Sequence, residues 1–167
     1  VSLSLIGTVL AARGELNQSE IALLRLLAIC IEQRDEQAKA VTNAWLAQRQ
    51  IWLGHPKAAL PAALRAWEFA DVQRLEGDFI RAARLHGEAA LGLGDFTTAE
   101  DRLHHALTRA RGVNLVEEEL PALTALASLH KQRREYDTAH ELLDQVWSPA
   151  ERGPFPLCHA DAHNILA

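Results

Sequence analysis

Gly14-Glu15-Leu16, Gly54-His55-Pro56, Gly94-Asp95-Phe96 and Arg134-Glu135-Tyr136 form one short polar turn written four times, at intervals of 40 residues. A fixed spacing in this range marks a chain of stacked supersecondary units, each unable to bury its apolar face alone. The residue types suit helix ends. Gly tolerates the left-handed backbone that stops a helix. Asp or Glu just after it suits the N-terminus of the next helix. Pro56 falls near a helix start, where its missing N–H costs nothing.

Outward from the turns, the same spacing governs residue size. Ser19, Ala59, Ala99 and Ala139 are small, as are Cys30, Ala70, Ala110 and Ala150. Leu27, Trp67, Leu107 and Trp147 are large. Gly7, Ala47, Gly87 and Ala127 form a further small set, preceded by Ile6, Leu46, His86 and Leu126. Two antiparallel helices joined by a three-residue turn must approach closely. Small residues at the crossing let the backbones come near, and large ones fill the adjoining grooves. The pattern predicts helices near 1–13, 17–33, 36–53, 56–72, 75–93, 96–111, 115–133, 137–149 and 156–167. Pro121 falls in the first turns of the seventh and is a candidate kink. Gly153-Pro154-Phe155-Pro156 is the strong breaker cluster, and it occupies the loop where the period requires one.

The expected fold is therefore all-α: a single domain over 1–167, built as a right-handed solenoid of four helical hairpins with turns near 14, 54, 94 and 134, and a truncated fifth unit at 156–167. Composition agrees with an ordered chain, since 49% of its 167 residues are apolar. The formal net charge of −5 supplies no basic excess to hold a phosphate backbone, which argues against nucleic acid as the partner. No apolar run reaches the ~18 residues of a membrane span, so no membrane role is expected. The two cysteines, Cys30 and Cys158, lie far apart without a paired spacing, which points to a reducing, cytoplasmic setting. The chain contains no methionine, starts at Val1 and stops inside an expected helix, so it reads as a fragment of a longer protein.

These residues resemble tetratricopeptide repeats. In the third unit Gly87, Leu93-Gly94-Asp95-Phe96, Ala99, Leu103 and Ala106 fall where that family places its small, turn, aromatic and packing residues. The fourth unit keeps Ala127, Tyr136, Ala139 and Leu143. The first two units depart from the pattern: Leu16 and Pro56 replace the turn aromatic, and Ser19 replaces the first small alanine. The period exceeds the family's usual repeat of about 34 residues. Long repeats of this kind are similar to those in sensor arms of bacterial signal-transduction NTPases and of large ATP-dependent transcription activators. Pro154 to Ala162 also resembles the C-terminal repeats of bacterial NACHT-type proteins.

The resemblance implies a groove lined by the first helix of each pair, with a protein or peptide as partner. Carried over, the groove-facing residues are Gln48, Arg81, Arg84, Glu88, Thr124, Ser128, Lys131, Asp161 and Asn164. Arg81 and Arg84 share a helix face and, with Lys131 one unit on, could make a cationic spot for a carboxylate or phosphate. The blander alternative, and the preferred one, is a solvated surface on which Arg84 and Glu88 form an ordinary intrahelical pair. On the first reading, replacing Arg81 and Arg84 by Ala weakens an acidic partner without unfolding the domain. The Lys/Asn set that would clamp chaperone C-termini cannot be assembled here. Trp45 and Trp52 are free of packing register and could serve as binding anchors.

Nothing points to an enzyme, and no cofactor or metal is expected. There is no phosphate-binding glycine loop and no nucleophile elbow. Among eight histidines, His159 and His163 share a helix face, but Asp161 between them points about 200° away. By register His163 edges the core and His159 caps the helix start. His104 and His105 diverge by about 100° and cannot serve one site. His130 and His140 are expected in a mixed polar pack. Glu117-Glu118-Glu119 reads as a helix N-terminus favoured by the macrodipole. Three further functional classes stay open: a small-molecule sensor holding its ligand inside the superhelix, a self-association module joined through exposed solenoid ends, and a metal hydrolase, which would require stoichiometric metal in the purified protein.

Overall fold

The computed structural model describes residues 6–7, 9–10, 13–73, 76–153 and 155–166. Among them every regular element is a helix: α1 (Leu16–Gln33), α2 (Glu36–Trp52), α3 (Pro56–Gln73), α4 (Glu76–Gly92), α5 (Phe96–Gly112), α6 (Val116–Gln132), α7 (Tyr136–Arg152) and α8 (Pro156–Leu166). Their ends fall within three residues of those expected from the pattern. Of the helix expected over 1–13, residues 6–7 and 9–10 are helical, and most of the rest lies outside the described residues. α6 runs through Pro121 as one element.

One turn geometry recurs at six of the described helix junctions, whereas α7 ends at Gly153 in extended backbone. Gly14, Gly54, Gly94 and Arg134 all have positive φ, between 64° and 79°. Arg34 and Asn114, midway between them, have φ of 56° and 55°. The backbone thus repeats at half the sequence period. At each of these six turns the next residue closes a six-residue loop back to the helix: Glu15 N donates to Leu10 O, Asp35 N to Cys30 O, His55 N to Gln50 O, Asp95 N to Ala90 O, Leu115 N to Ala110 O and Glu135 N to His130 O, all at 2.8–3.0 Å. These bonds satisfy carbonyls that a helix end leaves unpaired. Asp35 and Asp95 also cap the following helices, accepting from Ala38 N and Thr98 N through Oδ1.

The small residues sit at the crossings. Ser19, Ala47, Ala59, Ala99 and Ala127 are fully buried, and Ala139 nearly so. A Cβ added at Gly87 would stand 2.7 Å from Leu103 Cγ and 3.2 Å from Ala99 O, so α4 and α5 touch through the missing side chain. Cys30, Ala70 and Ala110 are buried as a second set; the side chain of Ala150 lies outside the described ones. Trp67 and Trp147 pack against the neighbouring core groups.

Contacts between helices follow a rule. Each helix touches its sequence neighbours, and α2, α4, α6 and α8 also touch one another in order. α1, α3, α5 and α7 make no such second-neighbour contact among the described residues. The even-numbered helices therefore form one continuous layer, with the odd-numbered ones packed against it. The apolar core is correspondingly divided, with the largest cluster between α5, α6, α7 and α8 around Leu103, Leu120, Leu123, Leu126 and Leu143.

Candidate functional site

The even-numbered layer carries a groove of about 540 Å³. α2 contributes Gln48, Ile51 and Trp52, and α4 contributes Arg84, Glu88 and Leu91. α6 supplies Thr124 and Ser128, and α8 supplies Leu157, Asp161 and Asn164. Seven of the nine residues that the resemblance puts on this face thus line a single groove. The other two do not. Arg81 is drawn aside to Glu118 and stacks over Trp45 at 5.7 Å. Lys131 donates to Ile165 O at 2.6 Å near the end of α8, beside a smaller cavity of about 220 Å³.

Arg84 organises the floor. Only 5% of it is exposed. Its Nε donates to Glu118 Oε2 at 2.8 Å, its Nη2 to Gln48 Oε1 at 3.0 Å, and its Nη1 to Glu88. The second oxygen of Glu118 accepts from Arg81 Nε at 2.6 Å. One guanidinium so joins α2, α4 and α6. A planar five-donor fork suits this role where a lysine would not. Burial works against the charge of Arg84, but Glu118 and Glu88 outweigh it and raise its pKa above the ordinary arginine value. Burial likewise opposes ionisation of Glu118, yet Arg84 and Arg81 hold it below the usual carboxylate range.

The cationic spot considered for Arg81, Arg84 and Lys131 is therefore not formed. Both arginines are consumed by internal carboxylates, and Lys131 is held by a backbone oxygen. The alternative of a solvated surface fails as well, for the Arg84–Glu88 pair exists but is buried. Spacing alone did not identify Glu118, which reads as part of an acidic helix start. The available signal was its position 34 residues after Arg84, nearly one unit on and on the facing helix.

Two further carboxylates line the groove: Glu88, which Arg84 engages, and the more exposed Asp161. Burial raises the pKa of Glu88, with Arg84 offsetting part of it and Glu118 and Asp161 adding to it. Burial also raises Asp161. Both groups would ionise more readily beside an incoming cation. Cys158, on the same wall, is a free thiol whose pKa is raised by burial and by Asp161. Trp52 is 44% exposed at the rim, an open aromatic face of the kind that anchors partners.

His163 is exposed, and its ring lies against His159 and against Trp147 at the edge of the core, at centroid distances of 4.9 and 4.8 Å. His130 pairs with a polar neighbour, Glu135, its Nδ1 lying 2.5 Å from Glu135 Oε2. His104 and His105 do diverge: His105 joins the rings of Trp67 and Phe79, and His104 faces Glu100 and His130. Compared with known proteins, the chain matches no family model and no curated relative.

Proposed function

We propose that the chain is a non-enzymatic recognition module, a right-handed solenoid of tetratricopeptide-like hairpins whose inner layer binds a segment of a partner protein. The observation that carries this reading is the groove across α2, α4, α6 and α8, walled by apolar side chains, rimmed by Trp52 and left with acidic capacity at Asp161 and Glu88. The repeating turns and the ordered contacts of the even-numbered helices support the solenoid. On the resemblance alone, its setting is the sensor or scaffold arm of a cytoplasmic bacterial signalling protein.

The chemistry of the groove selects its occupant. All three nitrogens of Arg84 are already engaged and its charge is matched by Glu118 and Glu88, so an acidic peptide finds no unpaired cation on the floor. A segment with one Lys or Arg beside an apolar or aromatic side chain places its charge on Asp161 and Glu88 and its apolar group against Trp52, Ile51 and Leu157. A peptide library displayed and selected on the protein tests this. The enriched sequences are basic and apolar, and Trp52→Ala and Asp161→Asn each weaken the selected peptides about tenfold or more. Selection of acidic sequences, or affinities unchanged in both variants, contradicts the reading. A second reading, a small-molecule sensor, has in its favour that the groove volume lies within the usual range of about 300–1,000 Å³ for such sites.

A further inference from the structure

Outside the groove lining, Glu100, His104 and His130 each offer a ligand atom, and these three atoms lie within 4.8 Å of one another. We propose that they form a binding site for a divalent transition metal, zinc in the first instance, that ties α5 to α6. Glu100 and His104 stand one turn apart on α5 and so share a face. His130 comes from the last turn of α6. A tetrahedral zinc with bonds of about 2.1 Å sets its ligand atoms about 3.4 Å apart, which small side-chain rotations supply here.

The surroundings fit this chemistry. His130 is buried, and its Nδ1 donates to Glu135 Oε2 at 2.5 Å. An ionised carboxylate only accepts, so Nδ1 carries the proton of this bond, and in the neutral imidazole Nε2 is then the nitrogen with the lone pair. A carboxylate behind a ligating imidazole fixes the tautomer and the ring orientation and strengthens the ligand. Arg133 Nη1 donates to Glu100 Oε2 at 2.8 Å, which steadies that carboxylate while a carboxylate keeps a second oxygen for an ion. Glu100 and Glu135 supply negative charge beside the metal, part of which Arg133 already offsets. His104 is exposed, so the solvent side leaves a fourth position for water. Two imidazoles and one carboxylate favour zinc and its neighbours over magnesium or calcium, which prefer all-oxygen shells.

Titration of metal-free, untagged protein with zinc chloride by calorimetry is the test, with unfolding temperature and the visible spectrum of the cobalt-loaded protein as parallel readouts. One equivalent of zinc binds and raises the unfolding temperature, magnesium does not bind, and cobalt gives the absorption of a tetrahedral site. His104→Ala, at an exposed position, abolishes the cobalt spectrum and lowers zinc affinity at least tenfold, and Glu135→Gln lowers it about 10–100-fold. The double variant His159→Ala/His163→Ala, which removes the other histidine pair, leaves binding unchanged. The proposal is overturned if no stoichiometric zinc binds, if His104→Ala binds as tightly as the parent, or if binding is lost with His159 and His163 instead.

Discussion

His86 shows how a single side chain departs from its register. The matching residues of the other units are Ile6, Leu46 and Leu126, all aliphatic. His86 is half-buried on α4, where burial, followed by the neighbouring Arg102, lowers its pKa, with Asp95 and Asp101 opposing. A histidine depressed in the folded state remains neutral there while the unfolded chain takes up a proton. Its contribution to stability is present above its ordinary value of 6.5 and is lost as pH falls below it toward the folded value. We expect His86→Leu to fill the same position without that loss. Its stability advantage over the parent, measured by urea denaturation, grows between about pH 8 and pH 5. An advantage that is constant or shrinks on acidification contradicts this account. Register made the position legible as a packing site; the charge and burial that tune its titration come from α5 and are not written locally.

Among elements, the inner layer is held by charge and the hairpins by close approach. Glu118 is 2% exposed, and Arg84 supplies one of its two cations while also satisfying Glu88 and Gln48. Arg84→Ala strands these groups and is expected to cost about 3–5 kcal/mol, the usual consequence of breaking a buried ion pair from one side. The simultaneous change Glu118→Leu recovers a large part of the loss. Chemical denaturation of the single and double variants measures both, and a single-variant loss of about 1 kcal/mol or less, as for a surface pair, refutes a structural role. The sequence-based expectation was that replacing Arg81 and Arg84 by Ala weakens an acidic partner without unfolding the domain; the buried pairing of Arg84 predicts a cost in stability as well. Gly87 is the matching case for close approach. In Gly87→Ala the new Cβ must displace Leu103 and press on the Ala99 carbonyl. Overpacking of about 1–3 kcal/mol exceeds the gain of up to about 1 kcal/mol in helix propensity. Thermal unfolding should show a net loss that Leu103→Ala partly suppresses; a stabilised single variant would mean the α4–α5 contact is looser than described.

The same scale explains what could be read in advance. Turns at 14, 54 and 94 were legible because glycine marks a left-handed backbone. Arg34 and Asn114 adopt the same conformation without that marker, so the half-period of the backbone was hidden, although Asn is the residue that tolerates it best after glycine. The groove face came from the resemblance. The pairing of its arginines did not, because it depends on Glu118 approaching from another helix. Glu100, His104 and His130 escaped notice for a like reason: two share α5, but the third arrives from α6 and only the fold brings it near.

At the level of the whole molecule, order is passed along from neighbour to neighbour. Contacts join each helix to the next, and the even-numbered helices to one another, while no described contact links α1 to α8. α4, α5 and α6 are covered on both sides, whereas α1 leaves Ile21, Leu24 and Ile31 exposed and α8 leaves Leu157 and Leu166 exposed. In such a linear array stability declines toward the ends, because terminal units lack one interface. Those exposed residues also explain why end-to-end association stays a competing use of the same fold. Backbone hydrogen exchange of the protein, resolved helix by helix, tests the linear array most directly. The slowest amides should lie in α4, α5 and α6, with exchange quickening outward through α3 and α7 to α1 and α8. Equal protection in all eight helices, or the slowest exchange in α1 or α8, would contradict it.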